Sequence, residues 1–359
     1  MKRTQRSMVA LTARQAFAGL AVMLTVILVA LLLYLFFYLS RGGAPTPQPT
    51  SSPGVESVWQ VYGPAEGETP RFDGPMGVAA GDDGRIYVTD SGNNRVCEFD
   101  AQGRFVQEFG SFGVAKPSVG ATATYEPGSL NYPVGIDLDD DGNVYVASFY
   151  NDSIEVFDPD GTPLRRFPDP TEVTGKGGSG YEGRGIAVTD VAVSGDRVYA
   201  TDAYQVVVFT LEGEYVTQWG KPGSGEGDLD RPNGIAVSRN GETVYVSDSN
   251  HGRVTAFTPN GQVRWQVGTI PEGMGDTSER PLQLPRGLCV EDDGSVLVAD
   301  AFSFEIVRIS SEGEVLARYG DRGVEPGQWN FANDISVFRS FALVADKGNG
   351  RMQMVRFSL

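Results

Sequence analysis

Two hydrophobic patterns divide the chain. The first is continuous: residues 16–39 contain 24 residues and no charged side chain. At 1.5 Å per residue such a run is about 36 Å long as a helix, enough to cross the ~30 Å hydrocarbon core of a bilayer with some tilt. The second begins at Val55, where short apolar runs typical of β-strands follow one another to the C-terminus. The pattern predicts one transmembrane helix followed by an all-β domain.

The charges around the apolar run predict its orientation. Residues 1–15 carry four basic residues and no acidic one: Lys2, Arg3, Arg6 and Arg14. Because basic segments favour the cytoplasmic side, we expect residues 1–15 in the cytoplasm and everything after residue 39 outside it. A cleaved signal peptide would have a shorter apolar core and an Ala-x-Ala-like site, which this run lacks. An uncleaved signal-anchor helix is therefore favoured.

The residues after the helix form a linker and a domain. Residues 40–54 are rich in Pro, Gly, Ser and Thr and predict an extended spacer. Residues 55–359 hold 46 acidic and 24 basic side chains, a net charge of -22. We therefore predict a single-pass cell-membrane protein with a soluble extracytoplasmic domain over residues 55–359.

This domain repeats one unit six times. Each copy has an apolar run opened by Pro-x-Gly or a similar sequence, an Asp-Gly-type turn, a second run, a loop, and two further runs. The second run ends at positions that lie about 51 residues apart on average: Asp90, Ser148, Asp202, Asp248, Asp300 and Asp346. Four-stranded repeats of this length are typical of β-propeller blades, which bury their faces against each other in a closed ring. The prediction is an all-β, six-bladed propeller.

The chain ends predict how the ring closes. The last copy stops after its third run, residues 352–357, whereas Val58-Trp-Gln-Val-Tyr-Gly63 matches the fourth run of other copies, such as Phe105-Val-Gln-Glu-Phe-Gly110. We expect the N-terminal strand to complete the last blade, which removes an edge that would otherwise be open to aggregation.

Three copies share the motif Asp-x-x-x-x-Arg-Val/Met: Asp90 with Arg95, Asp248 with Arg253, and Asp346 with Arg351. With the inter-blade run 222–232, this motif resembles the NHL repeat family of six-bladed propellers, and the resemblance extends over residues 55–359. It implies the fold, and a binding role like that of extracytoplasmic sensor propellers. The Asp and Arg themselves are expected to tie the second strand to the third within a blade.

The amino-acid composition excludes several classes of function. The chain has a net charge of -17, one His and two Cys. An acidic surface repels the phosphate backbone, so we expect no nucleic-acid partner. One His and two Cys exclude multi-His zinc sites, iron–sulfur clusters and Cys zinc sites. We expect no cofactor, and a metal could be held only by carboxylates and amides.

Blade geometry places the loops on two faces. The loop between strands two and three and the inter-blade connection emerge on one face, which we call the long-loop face; the two hairpin turns emerge on the other, the hairpin-turn face. The hairpin turns are short Asp-Gly types whose acidity serves the turn. The connections are long and precede the first strands at 111–131, 168–185, 269–284 and 321–331. Loops of this length on a rigid scaffold are usually functional, so the long-loop face is the expected ligand face.

Candidate binding residues lie at the channel mouth and in the loops of that face. Two arginines, the amides of Asn233 and Asn333 (with Asp334 beside it) and apolar neighbours precede the first strands. They suggest a pocket for an anionic or carboxylate-bearing group, because guanidinium pairs bidentately with such anions. Aromatic side chains in the neighbouring loops could stack on a partner. The candidates are Arg286, Asn233, Arg184, Tyr150, Tyr204 and Phe302. Two alternatives remain: the arginines pair with local acids such as Glu182 and Glu279, and the aromatic side chains anchor the loops.

An enzymatic alternative rests on a second, weaker resemblance. Residues 232–249 resemble the gluconolactonase (SMP-30) propellers, and the resemblance implies a calcium site at the openings of the first strands. Asn233 matches one ligand position and Asp73 could replace another, but Arg286 and Val134 occupy the remaining two. The lone His251 lies in a loop between strands and is expected to be solvated. The leading prediction is a membrane-anchored binding propeller that recognises a protein or cell-envelope polymer; the alternative is a metal-dependent lactonase, hydrolase or lyase.

Overall fold

A computed structural model describes residues 54–64, 71–115, 126–168, 187–268 and 281–358. The predicted membrane helix at 16–39 and the linker up to residue 53 lie outside these ranges. Within them, no helix combines the length and the apolar composition that crossing a bilayer requires.

The described residues form six four-stranded antiparallel sheets, which are the blades. The first strand of the chain, β1 (Val55–Val61), belongs to the last blade. Blade 1 comprises β2 (Pro75–Ala80), β3 (Ile86–Asp90), β4 (Arg95–Phe99) and β5 (Phe105–Phe109). A two-stranded parallel sheet, β6 (Ser111–Phe112) and β7 (Ser129–Leu130), lies in the connection to the next blade. Blade 2 comprises β8 (Pro133–Leu138), β9 (Val144–Ser148), β10 (Ser153–Phe157) and β11 (Pro163–Phe167).

The other blades repeat this order. Blade 3 comprises β12 (Asp190–Ser194), β13 (Arg197–Asp202), β14 (Gln205–Thr210) and β15 (Tyr215–Trp219). Blade 4 comprises β16 (Pro232–Val237), β17 (Val244–Asp248), β18 (Arg253–Phe257) and β19 (Val263–Val267). Blade 5 comprises β20 (Pro285–Val290), β21 (Val296–Asp300), β22 (Glu305–Ile309) and β23 (Val315–Tyr319). Blade 6 comprises β24 (Ala332–Phe338), β25 (Phe341–Asp346) and β26 (Arg351–Phe357), with β1 at its outer edge.

The prediction of ring closure is confirmed. Strand β1 pairs antiparallel with β26, from Val55 opposite Phe357 to Val61 opposite Met352. The paired strand begins three residues before the predicted Val58, and Val55 is buried against the core of blades 5 and 6. The N-terminal strand of the domain therefore completes the last blade.

Aromatic side chains on the outer strands pack against glycines of the next blade. The ring of Trp219 lies against Gly261 in the turn between β18 and β19, and a Cβ at Gly261 would approach the indole to 2.4 Å. Gly261 also has φ +81°, a conformation that side chains disfavour. At the closure, Gly54 takes this role beside Tyr319. The same contact recurs in the pairs Trp59 with Gly103, Phe109 with Gly161, Phe167 with Gly213, and Trp265 with Gly313.

The start of blade 3 corrects one detail of the sequence interpretation. Arg184 was expected just before the first strand of this blade. The strand instead begins at Asp190, so Thr189 takes the position that Arg286 has in blade 5, as the pairing registers of the two blades show. Arg184 itself lies outside the described residues.

Ring closure predicts a contrast between two truncations. Deleting residues 1–64 removes β1 and leaves the edge of β26 and its apolar neighbours open to water, whereas deleting residues 1–53 leaves the described strand intact. We expect the shorter protein to melt at least ~5 °C lower, since each kcal/mol lost lowers Tm by about 2 °C in a domain of this size. Thermal unfolding monitored by circular dichroism measures this. Equal melting temperatures would contradict the closure.

Candidate functional site

The Asp and Arg of the repeated motif form buried ion pairs, as predicted. The guanidinium of Arg253 donates to Asp248 at 2.8 Å, and Arg351 does the same to Asp346. Each arginine also reaches into the connection before its blade: Arg253 donates to the carbonyl of Asp228, and Arg351 to that of Gln328. The motif therefore holds the inter-blade connection as well as the blade.

The residue ending each second strand orients the chain that enters the first strand. Asp248 accepts a hydrogen bond from the backbone N–H of Asp230, and Asp346 from that of Asn330. In blade 2 the hydroxyl of Ser148 accepts from the N–H of Asn131. Comparable bonds join Asp73 to Asp90, Ala187 to Asp202, and Gln283 to Asp300. All six blades thus fix the approach to the channel mouth on the long-loop face.

A layer of polar contacts crosses that mouth between blades 5, 6 and 1. Arg286 donates from Nε and Nη2 to the side-chain oxygen of Asn333, at 3.1 and 2.8 Å. The amide of Asn333 donates in turn to the backbone carbonyl of Met76 at 3.0 Å. Asn233 in blade 4 donates instead to the carbonyl of Arg231. Arg286 is therefore held in place by the neighbouring blade, with its guanidinium at the mouth.

The ring of Phe331 lies near two cationic side chains beside this layer. Phe331 lies directly before β24 in a left-handed conformation with φ +60°. The guanidinium carbon of Arg286 is 5.9 Å from the centre of its ring, and the ammonium of Lys347 is 5.4 Å from the same centre. Burial lowers the pKa of both cations, and for Lys347 the positive charge of Arg286 lowers it further. The ring of Phe302 packs edge-on against Phe331, at 5.8 Å between ring centres.

The predicted site residues therefore fall into separate groups. Arg286 and Phe302 both contact Phe331 and belong together. Tyr150 lies in blade 2, where its ring packs on Tyr132 and Phe149. Tyr204 lies in the loop of blade 3 and is partly exposed. Arg184, and the acids Glu182 and Glu279 proposed to pair with the arginines, lie outside the described residues.

Three carboxylates lie in the channel beneath this mouth, two of them buried and that of Asp137 half-buried. Asp137, Asp190 and Asp334 each accept a hydrogen bond from a backbone N–H on the first strand of the next blade. The donors are Val193, Ile235 and Val78, at 2.7, 2.9 and 2.9 Å. First strands of neighbouring blades share no backbone ladder, so these N–H groups would otherwise face the channel unpaired. The carboxylates therefore join blades 2 to 3, 3 to 4, and 6 to 1.

Burial shifts the ionisation of these carboxylates. It raises the pKa of Asp137 to about 6 and that of Asp334 to about 7. The pKa of Asp190 rises well above its usual range, first through burial and then through the nearby charge of Asp334. A cavity of about 260 Å³ adjoins all three and extends along the later residues of the first strands to Arg239 on the hairpin-turn face.

Several residues of this region were not among the candidate binding residues. Asp190 and Asp334 occupy the position that is glycine in the Pro-x-Gly openings of other blades. This replacement of glycine by aspartate was the feature of the sequence that could have identified them. A Cβ at Gly135 would lie 1.9 Å from the carboxylate of Asp190, so the glycine leaves room for it. Phe331 and Lys347 gave no such signal, because only the fold brings them to Arg286.

The residues present do not fit the calcium site of the lactonase-like propellers. The three channel carboxylates are bonded to backbone N–H groups, and Arg286 places a positive charge at the mouth. Asp73 lies apart from them, with its carboxylate against Gly92. The described ranges contain no group of three or more His, Cys, Asp or Glu side chains that could hold a metal ion. No catalytic step through a metal follows from this arrangement.

His251 has a structural partner. Its Nδ1 lies 2.8 Å from the carboxylate of Asp248, and the side chain is only about one quarter exposed. Asn93 and Asn349 make the equivalent contact with Asp90 and Asp346 in blades 1 and 6. The expectation of a solvated loop residue is therefore wrong: His251 supports the carboxylate that holds the loop.

Family models match two parts of the chain. Residues 215–320 match the SMP-30/gluconolactonase/LRE-like region, and residues 72–99 match the NHL repeat. Together with the six blades, these matches support an NHL- and SMP-30-like propeller.

Individual relatives are distant. Protein brain tumor of Drosophila melanogaster is 28% identical over 142 residues, which are 39% of this chain and 13% of that protein. Among solved structures, a gluconolactonase from Xanthomonas campestris superposes with a TM-score of 0.55 at 16% identity, covering 88% of this chain and 99% of that one. A streptogramin B lyase gives 0.54 at 13% identity, covering 85% and 97%. At these identities the structural matches show the fold alone.

The buried carboxylates of this NHL-type propeller predict its pH dependence. A folded-state pKa above the unfolded value of ~3.9 means that ionisation costs native stability, so stability falls as pH rises from about 4 to about 7. We expect a higher Tm at pH 5 than at pH 8, and a smaller difference in Asp334→Asn. The exposed Asp83→Asn is the matched control and should keep the wild-type profile. Calorimetry in which all three proteins show one profile would contradict the assignment.

Proposed function

We propose that this protein is a membrane-anchored extracytoplasmic propeller that recognises a protein partner through its long-loop face. The distribution of exposed aromatic side chains is the observation that carries this proposal. A scaffold role agrees with the NHL-type fold, in which function resides in the loops rather than in the blades.

Large apolar side chains are exposed on the long-loop face and on the outer strands, but on none of the hairpin turns in the described ranges. The long-loop face exposes five aromatic side chains and Val324, whereas the outer strands expose seven side chains of which only Tyr215 is aromatic. The aromatic residues of the long-loop face are Tyr62, Phe112, Tyr150, Tyr204 and Phe302. Aromatic and arginine side chains dominate the energetics of protein interfaces. This favours a protein partner over a polymer.

The loops hold these rings ready for contact. Tyr150 is 59% exposed although its ring packs on Tyr132 and Phe149, and Phe302 is 54% exposed although it packs on Phe331. A ring braced on one side loses little conformational freedom when its other side is covered. The packing therefore agrees with a role of these rings at an interface as well as with a role in anchoring the loops.

The hairpin-turn face offers fewer side chains that could anchor a partner. Its acidic residues serve the turns, as in Asp100, which accepts hydrogen bonds from the backbone N–H groups of Gln102 and Arg104. Asp139 and Asp158 do the same in blade 2. Carboxylates committed to turn geometry are poor anchors for a partner.

Anchoring by residues 16–39 is the second part of the proposal, and it rests on the 24 uncharged residues and the preceding basic segment. We expect the full chain to stay with membranes during alkaline extraction. Protease added outside intact cells should remove the propeller but leave a tag on residue 1 protected. Release by alkali, or a tag digested from outside, would contradict this topology.

Two tyrosines of similar exposure test the binding face. We expect Tyr150→Ala to weaken capture of the native partner by more than ~1 kcal/mol, about fivefold, with little change in Tm. Tyr215→Ala, 52% exposed on an outer strand, is the matched control and should leave capture unchanged.

The measurement uses the full chain, crosslinked on the cells that make it, with the captured species identified by mass spectrometry and then quantified for each variant. A weaker capture by Tyr215→Ala than by Tyr150→Ala would reject the long-loop face. Recovery of a glycan polymer alone would reject a protein as partner.

A further inference from the structure

Two partly buried cations at the channel mouth lack acidic partners. Arg286 and Lys347 come from blades 5 and 6 and approach the same ring, that of Phe331, at 5.9 and 5.4 Å. Neither forms a salt bridge with any residue in the described part of the chain, whereas other arginines of this domain do so in blades 1, 3, 4, 5 and 6. The absence of partners is notable in a domain with 46 acidic and only 24 basic side chains.

Partial burial makes the positive charges of Arg286 and Lys347 energetically unfavourable. Burial lowers the pKa of Arg286 and of Lys347, which means that water solvates their charged forms poorly. Asp190 and Asp334 lie close enough beneath Arg286 to favour its charge, but burial outweighs their effect. Both carboxylates have raised pKa values, which reduces the negative charge they supply near neutral pH. A bound anion would compensate the remaining positive charge.

Arg286 is also oriented in advance. Its Nε and Nη2 are fixed on Asn333, whose amide is fixed on the carbonyl of Met76. No described residue accepts a hydrogen bond from its Nη1. A guanidinium held in one orientation loses less conformational freedom when it binds a ligand.

We propose that Arg286 and Lys347 form a subsite that binds a single carboxylate group of the partner, with the rings of Phe331 and Phe302 beside it. This inference rests on the proposed function, because it specifies the chemistry that the long-loop face recognises. Guanidinium and ammonium groups both donate charge-assisted hydrogen bonds to carboxylates.

The charge of the domain disfavours polyanionic ligands. A net charge of -22 over residues 55–359 repels polyanions at long range, so nucleic acids and polyphosphates are unsuited to this site. One carboxylate next to an apolar or aromatic group matches both the two cations and the two rings. An acidic side chain and a free C-terminus both supply that chemistry.

Three dipeptides distinguish these sources. N-acetyl-Phe-Glu-amide carries a side-chain carboxylate, N-acetyl-Phe-Gln-OH a terminal carboxylate, and N-acetyl-Phe-Gln-amide neither. Their affinities for the full chain in detergent micelles are measured by ligand-observed NMR titration. We expect one or both carboxylate dipeptides to bind at least ~5-fold more tightly than the neutral one.

Lysine variants test the location. Lys347→Gln should reduce the preference for carboxylate by at least ~5-fold without lowering Tm. Lys221→Gln is the control: this lysine lies on the same face in the connection between blades 3 and 4, is 76% exposed and pairs with Asp228. It should change nothing. Arg286→Lys keeps the charge and serves as a second variant, with an intermediate loss expected.

The outcomes separate this inference from the proposed function. Equal affinities for the three dipeptides, or equal effects of Lys347→Gln and Lys221→Gln, overturn the carboxylate subsite. If capture of the native partner still depends on Tyr150 in that case, the binding face stands without the subsite. If the carboxylate preference depends on Lys347 while capture does not depend on Tyr150, the subsite stands and the proposed protein interface around Tyr150 fails.

Discussion

The pairing of β1 with β26 is the contact on which the remaining structure depends. It adds the fourth strand to blade 6, whose other three strands come from the C-terminal end of the chain. Closing the ring brings blade 6 against blade 1. Two hydrogen bonds then span more than 250 residues of sequence, from Asn333 to Met76 and from Val78 to Asp334. Asn333 in turn holds Arg286. The geometry of the channel mouth is thus a consequence of closure.

Side chains join the blades at every seam. The carboxylates of Asp137, Asp190 and Asp334 join three seams. At the other three, Ser91 donates to the carbonyl of Pro133, Ser249 to that of Pro285, and Arg286 to the side chain of Asn333. These contacts give the acidic side chains of the channel a structural role. The carboxylates satisfy backbone donors that the propeller architecture leaves without a ladder, and their raised pKa values reflect burial.

Sequence patterns predicted the features that repeat. The six blades, the closing strand and the Asp–Arg pairs each follow from a period or from a leftover strand, because local interactions of one blade determine them. The position of Arg286 at the start of a first strand was predicted for the same reason. Its neighbours were not, since Phe331 and Lys347 meet Arg286 only when blades 5 and 6 pack.

Positions that depart from the repeat pattern of the sequence mark features of individual blades that the period does not predict. Blade 3 begins at Asp190 without the Pro-x-Gly opening, which misled the assignment of its first strand. His251 replaced an amide that contacts the motif carboxylate in two other blades, and its role followed only from the distance to Asp248. Such substitutions within a repeat identify positions where a side chain serves a neighbouring blade or a loop. A period alone does not reveal the partner they contact.

Site-specific photocrosslinking tests the central claim most directly. A photoreactive phenylalanine analogue replaces Phe302 on the long-loop face in one protein and Asp293 on the hairpin-turn face in another, each as the full chain in its native membrane. The account predicts a discrete crosslinked protein from position 302 and none from position 293. A discrete product from position 293 only would contradict it.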